Sequence, residues 1–167
     1  MEIIMKYTRM IVFLAISLII LPTCKESTVG PDYQFVQIQF KYNFKDELNT
    51  FKNYYQKDLV LDGVVRVYFR LTKDEQNKIL AKAYETNFFS MPDTLLNKAP
   101  VEITPNPTQY LRIRYGNQEN AVVWNYILYE YQSDQYKRLC ELTDYLTDII
   151  ESKPEYKILP PRQGGYD

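Results

Sequence analysis

Val36-Gln37-Ile38-Gln39-Phe40-Lys41-Tyr42-Asn43-Phe44 is the stretch on which the fold turns. Val36, Ile38, Phe40, Tyr42 and Phe44 alternate without a break with polar residues. A period of two is the mark of a strand with one dry face and one wet face. Helices must therefore cover one side of the sheet only. The rest of the chain is read outward from that requirement.

On the C-terminal side, Leu48, Phe51, Tyr54 and Tyr55 fall at i, i+3, i+6 and i+7. This fits a short amphipathic helix over 45–58, with a long hairpin arm as the alternative. Asp62-Gly63 makes a turn. Val65, Val67, Phe69 and Leu71 then line one face of a second strand, with Arg66 and Arg70 opposite. Thr72-Lys73-Asp74-Glu75 is a capping box, and it opens a helix that buries Ile79, Leu80, Ala83, Tyr84 and Phe88. Pro92 stops any extension. Residues 90–108 carry Pro92, Pro100, Pro105 and Pro107 and read as a long loop, a length at which connections often carry function. A hairpin follows, with Leu111, Ile113 and Tyr115 inward on its first arm and residues 121–128 as its second. Ser133 and Asp134 begin the last helix, whose apolar face is Tyr136, Leu139, Cys140, Leu142, Leu146, Ile149 and Ile150. The expected fold is α+β: an antiparallel sheet of about four strands with two or three helices packed on one face. It spans one domain over 33–159, with a C-terminal tail at 160–167.

Composition narrows the chemistry. Histidine is absent, which removes the commonest general base and metal ligand and the Ser-His-Asp arrangement. One cysteine in the domain and no histidine cannot fill a zinc shell. Neither a metal nor another cofactor is implied, and no catalytic residue stands out. The net charge of −1 gives no electropositive footprint for nucleic acid.

On the N-terminal side, Lys6 and Arg9 precede an apolar run from Met10 to Leu21. A membrane-spanning helix needs about 20 apolar residues, so this shorter run reads as a cleaved signal segment, residues 1–23. Leu21-Pro22-Thr23-Cys24 comes next, then polar Lys25-Glu26-Ser27-Thr28. It resembles a bacterial lipobox of the loosened Bacteroidetes type, departing from the usual pattern at Pro22 and Thr23. The resemblance implies lipidation of Cys24, a tether over 24–32, and a partner that is the membrane itself, with the outer membrane of the envelope as the site. Buried acyl chains contribute roughly 0.8 kcal/mol per CH₂, and two chains anchor stably. With Cys24 acylated, Cys140 has no partner in the chain and reads as a small buried hydrophobe.

Asp62-Gly63-Val64-Val65, the capping box and Asn87-Phe88-Phe89 are together similar to small Bacteroidetes lipoprotein domains of unknown function, over 59–153. That likeness carries no activity to any residue.

Tyrosine is the one excess, at sixteen residues. Trp124, Asn125, Tyr126, Tyr129 and Tyr131 form the densest cluster. In a strand Trp124 and Tyr126 share one face and Asn125, Tyr129 and Tyr131 the other. Only one face can be core, so some of these side chains are expected at a partner-binding surface, beside the Pro-rich loop. Ordinary packing of good strand formers is the alternative. The expected function is a non-enzymatic, lipid-anchored envelope module binding a protein or glycan. A carboxylate hydrolase of envelope glycans, using two of Glu47, Glu102, Glu141 and Asp144, is the alternative from the enzyme side, and a purely structural lipoprotein the third. Glu141, Asp144 and Asp148 at i, i+3 and i+7 otherwise make a solvated helix face.

Overall fold

In the computed structural model, which describes residues 35–96, 107–126 and 132–166, the alternating stretch becomes the middle strand of the sheet. The strands are β1 (Gln37–Tyr42), β2 (Asp46–Asn49), β3 (Tyr54–Val60), β4 (Gly63–Tyr68), β5 (Thr94–Leu95), β6 (Gln109–Tyr115) and β7 (Gln118–Trp124). The helices are α1 (Lys73–Glu85), α2 (Asp134–Ser152) and the one-turn α3 (Pro154–Lys157), with a 3₁₀ turn at Phe88–Ser90. Strand order is β4-β3-β2-β1-β6-β7-β5. Every pairing is antiparallel except β5 with β7, which is parallel.

This corrects the expected sheet. The α+β class stands, but among the described residues the sheet has seven strands and is mixed, not four and antiparallel. Two causes are identifiable. Leu48 and Tyr55 are i and i+7, but they sit directly opposite each other across a hairpin. A four-residue turn (50–53) thus places on one face a pair whose spacing equals two helical turns. Phe51 and Tyr54, counted toward a helical stripe, lie off that face. The second cause is β5. Two residues have no period to detect, and their pairing is set by Val123 N–H donating to Asp93 C=O at 2.8 Å.

The sheet register writes the core as a continuous apolar row. Val67, Tyr55, Leu48, Phe40, Leu111 and Val122 pair neighbour to neighbour across six strands. Ile79 and Ala83 of α1 and Leu139, Leu142, Leu146 and Ile150 of α2 bury against it. Cys140 lies half-buried at the margin of this core, where burial pushes its thiol up, Tyr136 opposes and Asp144 adds.

α1 starts where its capping box says. Thr72 Oγ1 accepts from Glu75 N–H at 3.2 Å, and the Glu75 carboxylate accepts from Thr72 N–H at 2.7 Å. The same carboxylate accepts from Lys153 at 3.0 Å, so the cap also ties α1 to the end of α2. Burial pushes Glu75 up, but Thr72 N–H and Lys153 outweigh it and hold the group below its ordinary value. Thr72→Ala should therefore cost about 1 kcal/mol, a typical N-cap loss, read as a lower urea midpoint with unchanged slope. A change within error would mean that Glu75 and Lys153 hold this end without the hydroxyl.

Residues 160–166 dock rather than trail. Gln163 bridges Val60 in parallel register, and Leu61 lies against Gly164. Val60 has a φ of 65°, a region costly for a β-branched residue. Asp58 Oδ1 accepts from its N–H at 3.0 Å, and Gln163 N–H donates to Leu59 C=O at 3.3 Å. Side chain and tail together hold the strained corner.

Candidate functional site

Alternation that buries Ile38, Phe40 and Tyr42 must send Gln37, Gln39 and Lys41 to the other face of the sheet. The register extends that face into two rows. One is Tyr68, Tyr54, Asn49, Gln39, Arg112 and Ala121; the other is Arg66, Gln56, Glu47, Lys41, Tyr110 and Val123. Both helices pack on the opposite, apolar face. Tyr68, at the edge, is 61% exposed.

Rings and guanidinium groups are layered on this open face. Arg66 lies over Tyr54 at 4.7 Å, and Arg112 and Arg114 over Phe51 at 4.8 and 5.0 Å. Arg66 Nε donates to Gln56 at 2.7 Å, and Arg112 Nε to Glu119 at 2.9 Å. A stacked guanidinium keeps a fixed plane and can still present N–H groups at its edge. Each cation–π contact contributes roughly 0.5–1 kcal/mol at such exposure. The arrangement supplies flat faces and N–H donors held by rigid strands, with the Tyr54 hydroxyl beside the Glu47 carboxylate.

Among the described residues, Glu47 does not meet the acids of α2. Glu47 is on the open face, while Glu141 and Asp144 lie on α2, packed against the other side of the sheet. Burial pushes Glu47 up, but donation from Gln39 at 2.7 Å and Asn49 at 3.0 Å outweighs it and holds the carboxyl below its ordinary value. A general acid needs the opposite shift. Asp144 is raised by burial and then by Asp148, and Glu141 pairs with Lys82 at 3.4 Å. Glu102 lies outside the described residues. Among the described residues, no group of three or more Cys, Asp or Glu converges as a metal site would require.

The aromatic cluster divides. Trp124 is 2% exposed and belongs to the core, its ring parallel to Phe40 within 13°. β7 ends there, so strand alternation does not extend to Asn125 and Tyr126. Asn125 is half-buried, and Tyr126 is 50% exposed. Tyr129 and Tyr131 lie outside the described residues, as do Cys24, the signal segment and the 24–32 tether. Reading the sequence for clustered tyrosines missed the open-face residues Phe51, Tyr54, Arg112 and Arg114. Their signal was the polar half of each alternating strand, particularly the Arg-x-Arg of 112–114.

Compared with protein-family models, with curated proteins and with solved structures, the chain finds no match.

Proposed function

We propose that the protein is a lipid-anchored module of the bacterial cell envelope that binds a protein or glycan partner on the open face of its sheet. Acylated Cys24 holds it to a membrane, the outer membrane on the lipobox resemblance. The observation that carries the binding reading is the layering of Arg66, Arg112 and Arg114 on Tyr54 and Phe51 across the face opposite the one on which α1 and α2 pack. The anchor rests on the basic start, the apolar run and Cys24. Among the described residues, no helix is long and apolar enough to cross a membrane.

Chemical cross-linking in native membranes, followed by capture, tests both halves. Wild type should retain a discrete partner, and Arg66→Glu with Tyr68→Ala should lose it while melting like wild type. Capture that survives the double change removes the partner from this face. Cys24→Ser should move the protein from the membrane fraction to the soluble one; continued sedimentation with membranes would refute the anchor.

A further inference from the structure

Residues 160–166 lie along the end of β3 as a ligand lies in a site. Gln163 pairs in parallel register with Val60: its N–H donates to Leu59 C=O at 3.3 Å, and its C=O accepts from Leu61 N–H at 3.4 Å. Strand addition of this kind is a recurring mode of peptide binding, with side-chain pockets supplying the selectivity. Three side-chain positions are read beside the pairing. The Arg162 guanidinium pairs with the buried Asp46 carboxylate and donates through Nε to Asp58 C=O at 3.1 Å. Gly164 has a φ of 85°, and a Cβ there would stand 3.1 Å from Leu61 Cγ, so backbone and space both demand glycine. The Tyr166 ring lies 4.1 Å from that of Phe44, with Lys45 Nζ 5.4 Å over it, and its hydroxyl donates to Asp58 Oδ2 at 2.5 Å. The cradle therefore selects Arg-x-Gly-x-Tyr in an extended segment.

The seating is specific without being dry. Every residue of 160–166 is exposed, and about 240 Å³ stays open between the segment and Asn43, Phe44, Asp58 and Val60. Segments with few buried apolar contacts and exposed backbone hydrogen bonds open at low free energy. Val60 holds a φ of 65°, a strain that persists only while its surroundings impose it, so release of the segment lets the corner relax. Pro160 and Pro161 lead into the pairing, both exposed. Proline-rich links are extended and semi-rigid, so little order is lost when the segment docks elsewhere. We propose that the cradle is an exchangeable site whose occupant in trans is the 160–166 segment of a second copy of this chain, so that copies join by passing the segment from one to another. Arg162, Gly164 and Tyr166 are already matched to the cradle, and their contacts are the same in trans as within one copy. Exchange of an identical element is a low-cost route to association. Within one copy the short link gives an effective concentration on the order of millimolar. The docked monomer therefore prevails when dilute, and exchange grows as copies crowd or as a copy's own segment is weakened.

Full-length protein in a neutral detergent should be titrated with a fluorescent peptide of residues 160–166 and followed by anisotropy. Arg162→Ala keeps the cradle and weakens its occupant, so it should bind the peptide at least about tenfold more tightly than wild type, whose own segment competes. Tyr166→Ala removes contacts only at the surface; it should behave alike, and it serves as the acceptor if Arg162→Ala does not fold. With either acceptor, peptides carrying Arg162→Ala or Gly164→Ala should bind at least about tenfold more weakly. Arg162→Ala protein should then be mixed with Asp46→Asn protein, which has an intact segment and an impaired cradle. Native mass spectrometry should show a heterodimer at a concentration where each alone is monomeric. Equal peptide binding by wild type and the acceptors, indifference to both peptide changes, or no peptide binding by either acceptor would each overturn the exchangeable cradle. Peptide binding without the heterodimer would overturn the second copy as its occupant.

Discussion

Trp124→Ala should lose about 3–5 kcal/mol of stability, the range for deleting a large buried aromatic. Domains of this size are stable by only about 5–15 kcal/mol, so much of the population would be unfolded or aggregated at physiological temperature. Trp124 pairs with Gln109 on one side and Leu95 on the other, and its ring centroid lies 6.4 Å from that of Phe40. Phe40 in turn stacks on Tyr42 at 4.3 Å. Removing the indole thus opens a void beside the middle strand. Trp124→Phe keeps a ring in place and should cost less. The chain has a single tryptophan, so its emission reports this site directly: blue-shifted when folded and red-shifted on denaturation. A Trp124→Ala variant that unfolds within 1 kcal/mol of wild type by urea titration, or a red-shifted native spectrum, would contradict the inward placement. The result also bears on function. Any partner capture lost in Trp124→Ala reports unfolding, whereas capture lost in the open-face variants does not.

The same tryptophan marks where sequence reading ran out. Val122-Val123-Trp124 is apolar at three consecutive positions, so alternation alone cannot say which parity is inward. The choice is made by pairing: Leu111 opposite Val122 carries Trp124 to the buried side. Ile38, Phe40 and Tyr42 needed no such help, because glutamine and lysine at the intervening positions leave one arrangement. Thr72 and Glu75 were equally legible, since a capping box is satisfied within one turn. The β2–β3 hairpin was not, because Leu48 and Tyr55 mimic helical spacing. The docked tail was not either: a Pro- and Gly-rich run has no periodicity, and its contacts are with residues more than a hundred positions earlier.

Arg162→Ala is the second change expected to have a large effect, about 3 kcal/mol at neutral pH. Asp46 is fully buried. Its Oδ1 accepts from Asp58 N–H at 2.7 Å, while its Oδ2 is paired with the Arg162 guanidinium and accepts from Asn43 at 3.4 Å. Arg162 Nε also donates to Asp58 C=O at 3.1 Å. Removing one partner of a buried pair leaves a charge without solvent or counter-ion, which typically costs 3–5 kcal/mol; the partial exposure of Arg162 argues for the low end. Burial already raises Asp46, with Asp58 N–H and Arg162 opposing, so the variant should raise it further. A carboxyl raised in the folded state binds its proton at higher pH when folded than when unfolded. Its penalty is therefore full above the folded value and vanishes below the unfolded one, about 3.9 for aspartate. The deficit of Arg162→Ala against wild type should be largest at neutral pH and shrink as pH falls toward 4. Asp46→Asn in the Arg162→Ala background removes the charge and should recover part of the loss at pH 7. Urea titrations of the three proteins at pH 4.5 and 7 decide the matter. A deficit that is small, or the same at both pH values and untouched by Asp46→Asn, would mean that the tail holds the β3–β4 corner through its backbone pairing and not through this ion pair.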